Sequence, residues 1–129
     1  MITLFIIRSC ADPKDPKKTI ESFFEVVDDL WLLNSIDDVN AKEKKNEWYG
    51  VMYDNEIIDE PLNEGLKVFI EQCDADVLIL MAKVGDKIYK SPRLFRRNVL
   101  LSKGSLMPEG KDLKFETVLN GWVLQNDIG

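Results

Sequence analysis

The sequence predicts an α/β fold in which a small sheet forms the middle of three layers and helices flank it. Apolar runs of strand length occur at Ile2–Ile7, Trp48–Tyr53 and Val77–Ala82, and such runs indicate buried strands. Patterns with the 3.6-residue spacing of an amphipathic helix lie between them, over Lys17–Asp28 and after Asp59. Strands that alternate with helices are typical of a mostly parallel sheet.

The length and composition predict one folded domain. The chain has 129 residues, a usual size for a single domain, and we assign residues 1–129 to it. Its longest apolar runs are far shorter than the roughly 18 residues that a membrane-spanning helix needs. The first residues lack the basic segment of a signal peptide, so we expect a cytoplasmic protein without a membrane span.

The charge of the chain is unevenly distributed. The net charge of −6 argues against general nucleic-acid binding, which needs a basic face. The segment 83–103 nevertheless carries seven basic residues and one acidic residue, so it can form a local anion site. The chain has no histidine, which excludes Ser-His and Cys-His catalysis and histidine-bound zinc.

Turn and cap residues divide the chain into elements. Asp15 is a predicted N-cap with Pro16 at the first helical position, and Leu30–Leu33 is the strand that follows that helix. Pro61, which follows two acidic residues, indicates the start of a second helix. Gly85 and Asp86 predict a turn into a strand at 87–90, and the apolar spacing over 115–123 predicts a short C-terminal helix.

Three of the predicted strands end in polar residues, where α/β sheets bind their ligands. These ends are Arg8 and Ser9, then Asn34 and Ser35, then the run from Asp54 to Glu56. Two carboxylates at one strand end are suitable oxygen ligands for Mg²⁺ or Mn²⁺. A surface turn that leads into a capped helix has the same composition, and the spacing alone favours that interpretation.

The basic segment Ser91–Arg97 is a second candidate. Strand alternation places Arg93 and Phe95 on one face and Leu94 and Arg96 on the other. The guanidinium groups of arginine suit phosphate oxygens, so this segment is a candidate diphosphate site. The alternative is that Arg93 pairs with a structural carboxylate and Arg96 is solvated.

Three segments together resemble the compact bacterial and phage members of the GT-A-fold, inverting family 2 glycosyltransferases. They are Val27-Asp28-Asp29-Leu30-Trp31-Leu32-Leu33, then Glu47-Trp48-Tyr49-Gly50-Val51-Met52-Tyr53-Asp54-Asn55-Glu56, then Ser91-Pro92-Arg93-Leu94-Phe95-Arg96-Arg97. The resemblance implies a minimal GT-A fold and the metal-assisted transfer of a sugar from a nucleotide sugar. It places Mg²⁺ or Mn²⁺ at Asp54 and Glu56, and it makes Asp59 and Glu60 candidates for the catalytic base. It implies that the donor is bound by Arg8, Ser9, Asn34, Ser35, Arg93 and Arg96.

Two departures from the family pattern keep a second function open. The family motif Asp-x-Asp-Glu is reduced here to Asp54-Asn55-Glu56, and the segment 37–46 is too short for the helix, strand and helix that the family has there. The alternative is a non-catalytic binding or assembly module, phage-encoded, that reuses the scaffold to contact a protein partner or a second copy of itself.

Overall fold

The computed structural model describes residues 1–9 and 15–125, and a seven-stranded mixed sheet dominates them. The strands of the described chain are β1 (Ile2–Ile7), β2 (Val27–Leu33), β3 (Trp48–Tyr53), β4 (Glu56–Ile58), β5 (Val77–Val84), β6 (Lys87–Arg96), β7 (Leu100–Leu101), β8 (Pro108–Glu109) and β9 (Phe115–Gln125). The α-helices are α1 (Lys17–Ser22) and α2 (Glu60–Gln72). The large sheet has the order β2-β1-β3-β6-β5-β9-β4, and β7 pairs with β8 separately.

The first three strands confirm the predicted parallel arrangement. β1 lies between β2 and β3 and is parallel to both, so the three strands end at the same edge of the sheet. All six residues of β1 are buried, as expected of a strand covered on both faces. β6 then joins β3 in the antiparallel direction, which brings the basic segment beside β3.

The first helix is shorter than the predicted Lys17–Asp28. It ends at Ser22, and Glu25 takes a φ of 61°, a left-handed conformation that the interior of a helix excludes. β2 then begins at Val27. The N-cap position is occupied by Pro16 and not by the predicted Asp15, although the Asp15 carboxylate still accepts the Lys17 N–H at 3.0 Å. The rest of the predicted loop, residues 12–14, lies outside the described residues.

The α/β class is confirmed, but both α-helices of the described residues lie on one face of the sheet, so fewer helices flank it than predicted. Leu62 and Leu66 of α2 belong to the core cluster on that face, and Ile20 of α1 packs against it. On the opposite face the covering side chains come from a 3-10 turn at Ile36–Asp38 and from the chain after β6. No helix in the described part of the chain has the length and apolarity needed to cross a bilayer.

The predicted C-terminal helix is wrong, because this segment is strand β9. β9 runs parallel to β5 on one side and antiparallel to β4 on the other. Its residue Gly121 has a φ of 151°, which an α-helix does not permit. Pairing with strands distant in sequence has therefore overridden the local helical spacing.

The predicted start of the second helix is confirmed. Asp59 is the N-cap of α2, and its Oδ1 accepts the Leu62 N–H at 3.1 Å. The same oxygen accepts the Trp122 N–H at 3.0 Å, so one carboxylate anchors both α2 and β9.

Lys44 is a buried cation on the face without helices. Its Nζ donates to the Val39 carbonyl at 2.7 Å and lies 5.1 Å from the centre of the Tyr49 ring. No carboxylate of the described residues forms an ion pair with it. Burial lowers the pKa of the Lys44 ammonium below its ordinary value of 10.5.

Replacing Lys44 with methionine should change how stability depends on alkaline pH. Between the lowered pKa and about 10.5 the unfolded chain binds more protons at Lys44 than the folded chain does, so this residue makes stability rise with pH. The variant lacks this contribution, and its free energy of unfolding relative to wild type should therefore fall from neutral pH to about pH 10. Urea unfolding at both pH values measures this. Replacement of the exposed neighbour Lys45 with methionine is the control, and an equal pH trend in both variants would contradict the assignment.

Candidate ligand cleft

A cleft of about 660 Å³ lies at the edge where β1, β2 and β3 end. Its volume is within the roughly 300–1,000 Å³ usual for small-molecule sites. Six residues predicted for a site line it: Arg8, Ser9, Asn34, Ser35, Glu56 and Arg93. The first four meet because the parallel strands β1 and β2 deliver their carboxyl ends to one edge of the sheet, whereas Glu56 begins β4 and Arg93 comes from the antiparallel strand β6.

Backbone hydrogen bonds fix the residues that follow β1 at this edge. The Arg8 N–H donates to the Leu33 carbonyl at 2.8 Å, which continues the pairing of β1 with β2. The Ser9 N–H donates to Asp54 Oδ2 at 3.1 Å, which ties the end of β1 to the end of β3. The Arg8 side chain is exposed at the cleft and supplies it with a positive charge.

The Ser35 hydroxyl shapes the same edge after β2. Its oxygen accepts the Asp37 N–H at 3.2 Å, so Ser35 is the N-cap of the 3-10 turn at Ile36–Asp38. The turn carries the chain away from the sheet at this point, and Ile36 becomes part of the cleft wall.

A buried ion pair between Glu56 and Arg93 forms part of the lining. Arg93 Nη1 lies 2.5 Å from Glu56 Oε1, and Nη2 lies 2.6 Å from Oε2, so the contact is bidentate. The Tyr53 N–H donates to Glu56 Oε1 at 2.8 Å, and Arg93 Nε donates to the Ser91 hydroxyl at 2.7 Å. The sequence allowed two interpretations of Arg93, a ligand for a diphosphate or a partner of a structural carboxylate. The structure contains the second of these, an ion pair with Glu56.

A bulge in β6 directs Arg93 to this position. Leu78 of β5 pairs with Leu94 and Ile79 pairs with Pro92, so Arg93 is an extra residue in the ladder. Its Nη1 reaches Met52 Sδ at 3.6 Å, and Met52 belongs to the core cluster on the helix face.

Leu94 and Arg96 share the helix face, as predicted, because Leu94 belongs to the core cluster there and Arg96 stacks on Trp48 of that cluster. Phe95 packs in the cluster on the opposite face, and the bulge leaves Arg93 out of the alternation. Since a bulge depends on the pairing of two strands, the alternation in the sequence alone does not reveal it.

The two carboxylates proposed as metal ligands both have protein partners in this arrangement. Both oxygens of Glu56 accept hydrogen bonds from Arg93, and Asp54 is buried with Oδ2 accepting the Ser9 N–H. Within residues 1–9 and 15–125 no three Asp, Glu, Cys or His side chains are grouped as a metal site requires. Binding of Mg²⁺ or Mn²⁺ at these residues stays a prediction.

Besides Asp54, three other predicted residues lie outside the cleft lining. Arg96 donates to the carbonyls of Ala75 and Cys73, and its guanidinium lies 4.0 Å from the Trp48 ring centre. Asp59 is the N-cap of α2, and Glu60 is exposed in the first turn of that helix. The structure therefore assigns Arg96 and Asp59 structural contacts, and their predicted roles in donor binding and catalysis stay predictions.

The cleft also contains residues that the sequence did not single out. They are Tyr53, Tyr89 and Gln125, with apolar contacts from Ile7, Ile36 and Leu106. Asn55 and Ser91 line it too, and both lie within segments that the sequence had indicated. Because side chains alternate between the two faces of a strand, the sequence of β6 could have indicated that Tyr89 and Ser91 lie on the same face. Burial raises the pKa of the Tyr53 hydroxyl above its ordinary value, so it is a neutral hydrogen-bonding group at neutral pH.

Comparison with known proteins adds no family assignment. Neither a scan against protein-family models nor a search of curated proteins returned a match to this sequence. The resemblance to family 2 glycosyltransferases therefore stays a prediction.

Proposed function

We propose that this chain is a glycosyltransferase-like domain that binds a nucleotide sugar in the cleft at the ends of β1, β2 and β3. The observation that carries the proposal is the meeting of the polar strand ends, Arg8 with Ser9 and Asn34 with Ser35, in one cavity. Ligands of α/β sheets bind outside the carboxyl ends of the strands, and this cavity has that position.

The chemistry of the lining suits such a ligand. Arg8 is an exposed cation that can pair with a phosphate, and its guanidinium offers two parallel donors. Asn34 and Asn55 carry both donors and acceptors, which suit the hydroxyl groups of a ribose or a sugar. The exposed face of Tyr89 can stack on a flat ring.

The order of the strands supports the minimal GT-A fold that belongs to this proposal. β2, β1 and β3 are parallel, and the acidic run Asp54–Glu56 begins directly after β3. The antiparallel strand β6 carries the segment Ser91–Arg96 to the side of β3. Of the three segments that carried the sequence resemblance, the second and third are thus adjacent, and β1 separates the first from them.

A specific observation favours a second function, that of a non-catalytic binding or assembly module. Glu56 is paired with Arg93, while Asp59 and Glu60 are not among the residues that line the cleft. Among the described residues that line the cleft, this arrangement supplies contacts for a ligand but no unpaired carboxylate that could deprotonate an acceptor. This candidate shares the cleft and the predicted cytoplasmic location with the first.

Nucleotide sugars should raise the melting temperature of the protein if the proposal holds. A ligand at one hundred times its dissociation constant stabilises the folded state by about 2.7 kcal/mol. We expect a shift with at least one of UDP-glucose, GDP-mannose and dTDP-glucose, measured by differential scanning fluorimetry with and without Mn²⁺. Arg8→Ala should raise the dissociation constant for the nucleotide sugar by about tenfold, because it removes the exposed cation of the cleft.

The control for this experiment is Arg97→Ala. Arg97 is an exposed arginine that is not part of the cleft lining, so its loss should leave nucleotide affinity unchanged. Absence of a shift with all three nucleotide sugars would contradict the proposal, as would equal weakening in both variants. Release of nucleoside diphosphate during incubation with an acceptor mixture would distinguish the enzyme from the binding module.

A further inference from the structure

Strand β2 forms an open edge of the large sheet and is unusually apolar there. Among the described strands only β1 pairs with it. Three consecutive side chains are exposed, with fractions of 39% for Leu30, 39% for Trp31 and 43% for Leu32. An exposed apolar edge strand is a template for pairing with another strand.

The backbone groups that face this open edge can be identified. The Leu33 carbonyl accepts the Arg8 N–H, so Leu33 directs its backbone groups toward β1. Because the direction alternates along a strand, Leu30 and Leu32 direct their N–H and C=O groups away from the sheet. An antiparallel strand can therefore pair with these two residues without disturbing the ladder to β1.

The protections usual for an edge strand lie outside the stretch from Leu30 to Leu33: the bulge of β2 is at Asp28, and the Lys42 ammonium lies 5.3 Å from the centre of the Trp31 ring. Natural edges carry lysine, proline or a bulge that blocks further pairing. The stretch from Leu30 to Leu33 contains none of these residue types, and its register with β1 is regular. The acidic residues of the strand, Asp28 and Asp29, lie at its amino end.

We infer that β2 pairs with β2 of a second copy of this chain, antiparallel and about a two-fold axis at Trp31. In this register Trp31 faces the partner's Trp31, and Leu30 faces the partner's Leu32. The leucines form the hydrogen-bonded pairs because their backbone groups face outward, and the tryptophans form the closer, non-hydrogen-bonded pair. Two copies then bury each other's exposed apolar side chains, as an isologous interface requires.

The charges of the strand favour a second copy as the occupant. Antiparallel pairing at Trp31 sets Asp29 opposite the partner's Leu33, and the bulge at Asp28 ends the regular register there, so Asp29 does not face a second carboxylate. The carboxyl end of β2 lies beside Arg8, since the Arg8 N–H donates to the Leu33 carbonyl. The acidic amino end of β2 in one copy thus meets the carboxyl end of β2 in the other copy, where Arg8 supplies a positive charge. Opposite charges at this contact favour the pairing.

Sedimentation velocity of the full chain, from low micromolar to millimolar concentration, tests this inference. We expect a reversible monomer–dimer equilibrium for the wild type. Leu30→Lys should raise the dissociation constant by about tenfold or more, because it places a charge in the apolar contact. Leu32→Pro should do the same by removing one outward N–H, and it leaves the ladder to β1 intact.

The control is Ile88→Lys, which introduces the same charge at an apolar residue that is 55% exposed on β6. It should leave the dimer unchanged, and circular dichroism should show that all three variants are folded. A monomeric wild type at every concentration would overturn the inference. So would a dimer that Leu30→Lys and Leu32→Pro leave intact, since a different surface would then hold it together.

Discussion

Replacing Arg93 with methionine is expected to lower the free energy of unfolding by about 3–5 kcal/mol. The reason is that Glu56 keeps a buried negative charge after its bidentate partner is gone. Only the Tyr53 N–H is then left as a described donor to that carboxylate. Urea unfolding at neutral pH measures the loss.

A double variant distinguishes the cost of leaving a buried charge unpaired from the cost of changing the packing of the side chains. Glu56→Leu combined with Arg93→Met removes both charges, and buried pairs replaced in this way often lose little stability. We therefore expect the double variant to be more stable than Arg93→Met alone. A double-mutant cycle with Glu56→Leu gives the coupling energy between the two side chains.

Arg97→Met is the matched control for the buried arginine. Arg97 is exposed and lies in the same basic segment, so its replacement should change stability by no more than about 0.5 kcal/mol. A loss below about 1 kcal/mol for Arg93→Met would show that the ion pair is not buried as described, because a charge reached by water tolerates the loss of its partner.

Replacing Gly121 with alanine is expected to lower the free energy of unfolding by about 2–6 kcal/mol. The backbone at Gly121 has a φ of 151°, which residues with a side chain rarely adopt. Forcing alanine into this conformation costs about 1–3 kcal/mol. The new methyl group would also overlap Asp59 Oδ1 and lie 2.6 Å from the Leu62 nitrogen. Overpacking of this kind adds roughly 1–3 kcal/mol, since the helix cap must move to relieve it.

Gly85→Ala is the control for backbone strain alone. Gly85 has a φ of 57° in the turn between β5 and β6, and no atom lies within 4 Å of the position of an added Cβ. We expect a loss of about 1–2 kcal/mol from the left-handed conformation. Chemical unfolding of both variants compares the two losses.

Whether Gly121→Ala lowers or raises the free energy of unfolding also tests the assignment of this segment as a strand. In the helix that the sequence predicts over 115–123, replacing glycine with alanine would stabilise the protein by about 1 kcal/mol. A stabilised Gly121→Ala variant would therefore contradict β9. A loss no larger than that of Gly85→Ala would contradict the close approach to Asp59.

The sequence by itself determined the elements whose signals are local. The strands at Ile2–Ile7 and Trp48–Tyr53 follow from continuous apolar runs, and the start of α2 follows from a capping residue followed by proline. The cluster of polar strand ends was also predictable, because parallel strands end at one edge. These features depend on residues close in the chain or on a general rule of sheet geometry.

The tertiary structure decided the features that depend on partners distant in sequence. β9 is a strand because β5 and β4 offer it hydrogen bonds on both sides, although its apolar spacing also fits a helix. Glu56 is paired with Arg93 because a bulge in the β5–β6 ladder aims that arginine, and the register of two strands creates the bulge. Whether a carboxylate holds a cation or an arginine, and which strand is left at the edge, follows from this pairing, since local sequence does not encode the neighbours of a strand.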